Sequence, residues 1–429
     1  MRPPTTLLTM LAAVVTSCGG NLGTLPSVGP TPVGPPRWRV PEKIDPTGTR
    51  DHDPLLAVAP GGEAVVVWHH ESVGGRGFTF PDGIRARRFV AGSGWAPTLP
   101  IPGTKDLGAS SVAVDDSGLA VVVGRVAVDG RLRTWASRST AASGWSSPEA
   151  VQEGGGDSYR ARVVMPLPGT ALSAWNEFDG TRTTLWSRPL DDRGWRRTQP
   201  IELTGDRINS LDLVADGRGR ALATWYEATR PGGGAIFANL FEAAHGWRGA
   251  QLIGSAGTFP VAGFDASGRA VAVWSTIDGN KTSRFLPGSG WTAETGGPGG
   301  GRSTYGVRLV VSPAGQGLAA WQQQSSSAAW ELWTALYEPL TGWGAPRLLS
   351  HTDASEAQVV MDAARRGVVI WDESDFVLAQ AYLPASGWGR QERLGPGSRA
   401  IAAADAGGNV IVAWAGSGAI WFTRVALAN

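Results

Sequence analysis

The chain has 429 residues, 42% apolar and 17% charged, and its 38 Lys plus Arg nearly cancel 37 Asp plus Glu to leave a net charge of +1. Near-neutrality without a basic block excludes nucleic-acid recognition by phosphate neutralisation and a polybasic membrane patch. The single cysteine excludes a disulfide framework and a Cys-based zinc site, while 60 Gly and 29 Pro suit a turn-dense β protein better than long helices.

The first element is an address. Met1-Arg2 is followed by an apolar run from Leu7 to Val15, too short to span a bilayer, and then by Val15-Thr16-Ser17-Cys18. Small residues before the only cysteine resemble a bacterial lipobox, with Val15 in place of the usual Leu. The resemblance implies a lipoprotein signal peptide over 1–17, cleavage after Ser17, and membrane attachment through a lipid on Cys18. Gly19, where Asp would retain an inner-membrane lipoprotein, implies the outer membrane. Residues 18–36 are rich in Gly and Pro and read as an extended tether, leaving 37–429 as one domain.

That domain is a repeat. Gly-Trp pairs end at Trp95, Trp145, Trp195, Trp247, Trp291, Trp343 and Trp388, spaced 44 to 52 residues apart. Between successive pairs lie four short alternating or apolar runs separated by turn signals, which predicts four antiparallel strands per unit. Repeated four-stranded sheets around an axis make a β-propeller. A second marker, a turn Gly followed six residues later by Trp, recurs from Gly62/Trp68 to Gly408/Trp414. The second unit keeps Gly118 but has Gly124 in place of Trp, and the seventh keeps Trp371 after Arg365. This marker gives eight blades; the Gly-Trp pairs alone give seven.

The last unit lacks its fourth strand. Arg37-Trp38-Arg39-Val40-Pro41-Glu42-Lys43-Ile44 matches Gly144-Trp145-Ser146-Ser147-Pro148-Glu149-Ala150-Val151, so the N-terminal strand is expected to complete the last blade and close the ring. The recurring tryptophans are expected to fill the gaps between sheets, each indole N–H reaching a loop carbonyl.

Function then falls to the loops that vary. Directly after the second-strand position come His69 and Glu71, Asn176 and Glu177, Tyr226 and Glu227, Gln322, and Asp372 and Glu373. The blade-joining loops add Tyr159 and Arg160. Around a ring these residues form one polar, acidic mouth suited to a cation, a polyol or a basic peptide. The segments 69–83 and 322–331 read as long loops for partner contact. Asp51-His52-Asp53 with His69 or His70 lacks the spacing of a metal-ligand set, and no cofactor motif or nucleophile elbow occurs, so no catalytic residue, metal or cofactor is assigned.

The unit resembles repeats of secreted bacterial propellers related in architecture to sialidases and fucose-type lectins, over residues 37–429. Asp265-Ala266-Ser267-Gly268 is similar to a sialidase box but lies in a different turn, and Trp38-Arg39-Val40-Pro41 is similar to the sialidase arginine segment but aligns with an outer strand. No Tyr–Glu nucleophile pair can be assigned. Arg88, Arg138, Arg188 and Arg284 recur as a lectin's sugar ligands would, but Leu240, Leu336 and Ala381 break the series. The expected function is a lipid-anchored cell-envelope module that binds a protein or glycan. The alternative is a glycan-acting hydrolase or lyase of the sialidase-like propeller type.

Overall fold

A computed structural model of the chain describes residues 36–45, 50–73, 79–202, 207–230, 233–351 and 354–427. The expected signal peptide over 1–17, Cys18 and the expected tether up to residue 35 lie outside the described residues.

Among the described residues there is no helix, and the strands pair antiparallel into seven hydrogen-bonded sheets. Each unit runs first, second, third and fourth strand from the inside outward; Asp157–Val164, Ala171–Phe178, Thr183–Asp191 and Gly194–Trp195 are one example. One sheet has nine strands because Gln251–Phe264 is unbroken. Its early residues pair with Gly233–Glu242 and its later ones with Ala270–Ser275.

The first strands touch in a closed cycle. Asp51–Val58 contacts Gly108–Val114, and contacts pass in chain order round to Ser398–Ala404, which returns to Asp51–Val58. The seam is closed by the N-terminal strand, whose Glu42 and Lys43 pair with Phe422 and Trp421. Arg39 N donates to Arg424 O at 3.0 Å and Ile44 N to Ile420 O at 2.8 Å. This is a β-propeller with its first strand in its last sheet.

Its core lies between sheets, as the alternation of apolar residues dictates. The buried apolar side chains form eight clusters, each shared by two neighbouring units. Trp68, Trp175, Trp225, Trp274, Trp321, Trp371 and Trp414 are the largest fully buried side chains. Full burial of such a ring contributes roughly 3 kcal/mol or more. The Gly-Trp rings are half-buried, and five of them pack at an angle on a third-strand aromatic, as in Phe241–Trp247 at 5.4 Å and Tyr337–Trp343 at 5.1 Å.

One expectation is corrected here. The buried indoles of Trp175, Trp225 and Trp371 donate to Glu177, Glu227 and Glu373, and Trp321 donates to Gln323. Among these recurring tryptophans, Trp274 and Trp414 reach main-chain carbonyls, those of Ala256 and Pro396. A side-chain acceptor two residues ahead lies on the same face of the strand, so it is the nearest group that can satisfy the indole.

In five units an aspartate folds the first turn. Asp265 Oδ1 accepts from Ser267 N at 2.8 Å and Arg269 N at 2.9 Å, and Asp115, Asp216, Asp362 and Asp405 do the same in their own turns. The recurring arginines tie blades together: Arg188 Nη2 lies 2.9 Å from Glu153, and Arg88 Nη1 reaches both Glu63 and, in the next unit, the Gly118 carbonyl.

Candidate functional site

The opposite end of the ring is built by a repeated irregularity. Every first strand shifts register by one residue against its second strand, as between His52 and Leu55 or Tyr159 and Arg162. In seven of them the extra residue is left-handed: Asp53, Arg160, Ser210, Phe259, Glu356, Arg399 and Gly306, with φ from 49° to 65°. For a non-glycine residue this conformation costs on the order of 1 kcal/mol or more. The backbone defect repeats while its side chain differs in each unit, which re-aims one variable residue per blade.

At the seam these residues form a charged cluster. Asp53 pairs with Arg399, His52 Nδ1 lies 2.9 Å from Asp53 Oδ2, and His52 Nε2 lies 3.5 Å from Glu71. The rings of His52 and His69 stack at 5.3 Å. Burial, then the neighbouring His52, pushes the His69 imidazolium down to about 4. His52, Asp53 and His69 bring three ligand atoms within 4.8 Å of one another. However, His69 Nε2 accepts the Ala109 N–H at 3.0 Å, so the neutral ring carries its proton on the nitrogen that faces Asp53. A metal would require the other tautomer and displacement of Arg399. The cluster is better described as a hydrogen-bonded seam.

A second sector is cationic. A cavity of about 1050 Å³ opens between the second, third and fourth units, lined by Arg125, Arg160, Arg162 and Arg207 together with Tyr159, Asn176 and Asn209. Among the described residues no carboxylate lines it. Arg162 sits deepest, where burial lowers its pKa against the opposing pull of Asp212. Burial pushes Asp212 up; the Ala262 N–H, Arg162 and Arg308 hold it down. Asn176 Nδ2 donates to Ile208 O at 3.3 Å, and its buried Oδ1 has no partner among the described residues.

A third sector continues from the cavity as a row of aromatic rings. Tyr226 meets Phe259 at 5.7 Å, Phe259 meets Tyr305 at 5.5 Å, and Tyr305 meets Trp330 at 6.4 Å, each edge to face. Tyr305 is 49% exposed although it is large and apolar. Burial raises the Tyr226 phenol and the nearby Arg160 charge opposes that rise, so cavity and row adjoin.

The residues singled out in the sequence therefore separate by role. Tyr159, Arg160 and Asn176 line the cavity, and Tyr226 starts the aromatic row. His69, Asn176, Gln322 and Asp372 each bond to the first strand of the next unit: Gln322 Nε2 donates to Ala354 O at 2.6 Å, and Asp372 accepts from Arg399 N at 2.5 Å and Ala400 N at 3.4 Å. Burial lifts the Asp372 carboxyl to about 6. Glu177, Glu227 and Glu373 serve the tryptophans, and Glu177 also accepts the Gly156 N–H at 3.0 Å. Glu71 faces His52.

Two expectations need correcting. The acidic mouth is not what the cavity presents: Glu177, Glu227 and Glu373 are engaged by indoles, Asp372 by main-chain N–H groups and Glu71 by His52, while the cavity is walled by guanidinium groups. The expected loop 322–331 is a hairpin extension in which Gln322, Gln323 and Gln324 pair with Leu332, Glu331 and Trp330. In 69–83 the strand likewise continues to Val73 and resumes at Thr79, with 74–78 outside the described residues.

Arg125, Arg162 and Asn209 were not singled out in the sequence. Arg162 gives little signal of its own, because the equivalent first-strand position is Leu55, Val261 or Ile401 in some units and Ser111, Asp212, Arg308 or Gln358 in others. Arg125 follows Gly124, the one second-strand position where the tryptophan is missing.

No protein-family model matches the chain, and no curated protein matches it. Among solved structures it is similar to a puromycin hydrolase at 16% identity and a TM-score of 0.49, covering 81% of this chain and 54% of that one. It is similar to the polysaccharide lyase Uly1 at 10% identity and 0.49, covering 87% and 90%. A third is YCF48 bound to D1 peptide, at 12% identity and 0.44, covering 93% and 97%. The chain spans about half the length of the puromycin hydrolase. At these scores the likenesses carry no argument; the architecture rests on the pairing and packing above.

Proposed function

We propose that this chain is an eight-bladed β-propeller that binds a ligand at the bulged end of its ring, as an exported envelope module attached through Cys18. Eight blades are supported by the eight inter-sheet clusters and by the unbroken strand 251–264, which joins two blades into one sheet. The binding role is carried by one observation: a roomy polar cavity runs into a half-buried aromatic row with Tyr305 exposed, both built from residues that the repeat does not require. Cavities that bind small molecules or saccharides combine apolar ring faces with a few placed polar groups. The groups here suit recognition; a glycosidase would need two carboxylates flanking the bond it cleaves.

A soluble form lacking residues 1–18 tests this on a glycan array, with envelope-extract capture in parallel. Saccharide binding that weakens at least tenfold in Trp330→Ala, with unfolding unchanged, supports the reading. Absence of any Trp330-dependent binding overturns it. Time-dependent loss of bound saccharide would favour the hydrolase or lyase alternative. Attachment is tested by lipid labelling of the outer-membrane fraction, which Cys18→Ala should abolish.

A further inference from the structure

We infer that the ligand is an acidic saccharide, its carboxylate or sulfate groups held by Arg160 and Arg207 with Arg125 and Arg162 behind them, and its sugar rings laid along Tyr305 and Trp330. This deepens the binding reading and rests on it.

The argument begins with charge. The whole chain carries only +1, yet four guanidinium groups share one cavity. Arg162 lies within electrostatic range of one carboxylate, Asp212, which it shares with Arg308. Among the described residues Arg125, Arg160 and Arg207 form no ion pair, whereas arginines elsewhere do, as Arg88, Arg188 and Arg220 show. Like charges gathered without counter-ions repel, so the arrangement favours an anion that enters from outside. Guanidinium presents a planar fork of donors that matches carboxylate and sulfate oxygens two at a time.

The second observation selects a saccharide. The row Tyr226, Phe259, Tyr305 and Trp330 begins beside Arg160 and offers apolar ring faces at the spacing of successive units of a chain. Asn176, 3% exposed, lines the cavity with a buried acceptor that lacks a donor, a place for a hydroxyl group. Aromatic faces, a hydroxyl acceptor and cation forks together fit a sugar polymer bearing acidic groups. An oligonucleotide offers anions and stacking bases too, but the cations are gathered at one end of the row instead of tracking along it.

Calorimetric titration of the soluble chain with four hexamers decides: an oligouronate, a sulfated neutral saccharide, an uncharged saccharide and oligo-dT. Binding of the uronate or the sulfated hexamer at least tenfold tighter than the uncharged one, weakening with salt, supports the inference, and the two arms tell carboxylate from sulfate. The double variant Arg160→Gln/Arg207→Gln should lose at least tenfold in affinity and all preference for charge, while Arg284→Gln should change neither. Equal, Trp330-dependent binding of charged and uncharged hexamers would overturn the acidic ligand and leave the binding site standing. Binding of no saccharide would overturn both, and preference for oligo-dT would overturn the saccharide.

Discussion

Asp53 and Arg399 pair across the seam of the ring from equivalent positions, the left-handed bulge residues of its first and last inner strands. The junction is thus tied at its inner end by an ion pair and at its outer end by a borrowed strand. The two ties differ in worth. The side chain of Arg399 is 60% exposed, and such a pair contributes at most about 1 kcal/mol. Ile44 is fully buried among Trp68, Ile420 and Phe422, where loss of an apolar side chain costs about 2–5 kcal/mol. Asp53→Asn should therefore lower stability only slightly. A chain beginning at Pro46 should unfold at far lower urea than one beginning at Arg37. Equal midpoints for the two chains would show that the strand does not seal the ring.

The second unit offers a test of what the tryptophans do. Gly124 stands in the tryptophan's place, and directly across the ladder is Trp135, 2% exposed and the one fully buried tryptophan of its cluster among the described residues. A Cβ on Gly124 would collide with the Gly108 carbonyl. Restoring the repeat by Gly124→Trp should destabilise by ~1–3 kcal/mol or more through overpacking. Trp135→Ala should cost about 3–5 kcal/mol. Urea denaturation checks both, and a more stable Gly124→Trp would sink this account.

Acid should loosen the seam through His69. The native imidazole stays neutral down to about pH 4, whereas in the unfolded chain it takes its proton near 6.5. Between those values the unfolded state holds more protons, so stability falls as pH falls, by about 2 kcal/mol once partial exposure is allowed for. Asp372 acts oppositely. Its native carboxyl protonates near 6 and its unfolded one near 3.8, so its contribution falls as pH rises through that window. Melting temperatures from pH 4 to 7 should show a flatter acid limb in His69→Gln and a steeper one in Asp372→Asn.

The arginine cavity should also report on itself without ligand. If its cations repel, Arg160→Gln should raise the melting temperature at low ionic strength, and the gain should vanish in 0.5 M salt as screening shortens to roughly 4 Å. Inorganic sulfate at millimolar concentration should stabilise the parent chain and not the Arg160→Gln/Arg207→Gln variant. Thermal scans across salt provide the measurement.

What the chain made legible was whatever recurs. Arg37–Ile44 repeats the wording of 144–151, so its place in the final sheet could be read, and Gly62 with Trp68 set a register that later units keep. The same recurrence misled at Glu177, Glu227 and Glu373. Each follows a tryptophan by two residues, which makes it an indole acceptor, yet each sits at a strand end where a ligand contact was expected. The cavity was harder to see because nothing in it repeats. Arg125, Arg160 and Arg207 come from three different units, and only the closed arrangement of sheets brings their side chains together. One break in the pattern, at Gly124 beside Arg125, does lie at the cavity.

The unbroken strand 251–264 bears on how tightly a ligand can be held. Phe259, one ring of the aromatic row, is carried on a strand whose residues up to Gly257 pair with Gly233–Glu242 and whose residues from Thr258 on pair with Ala270–Ser275. A surface anchored in this way has little freedom left to surrender on encounter, so more of the contact energy survives as affinity.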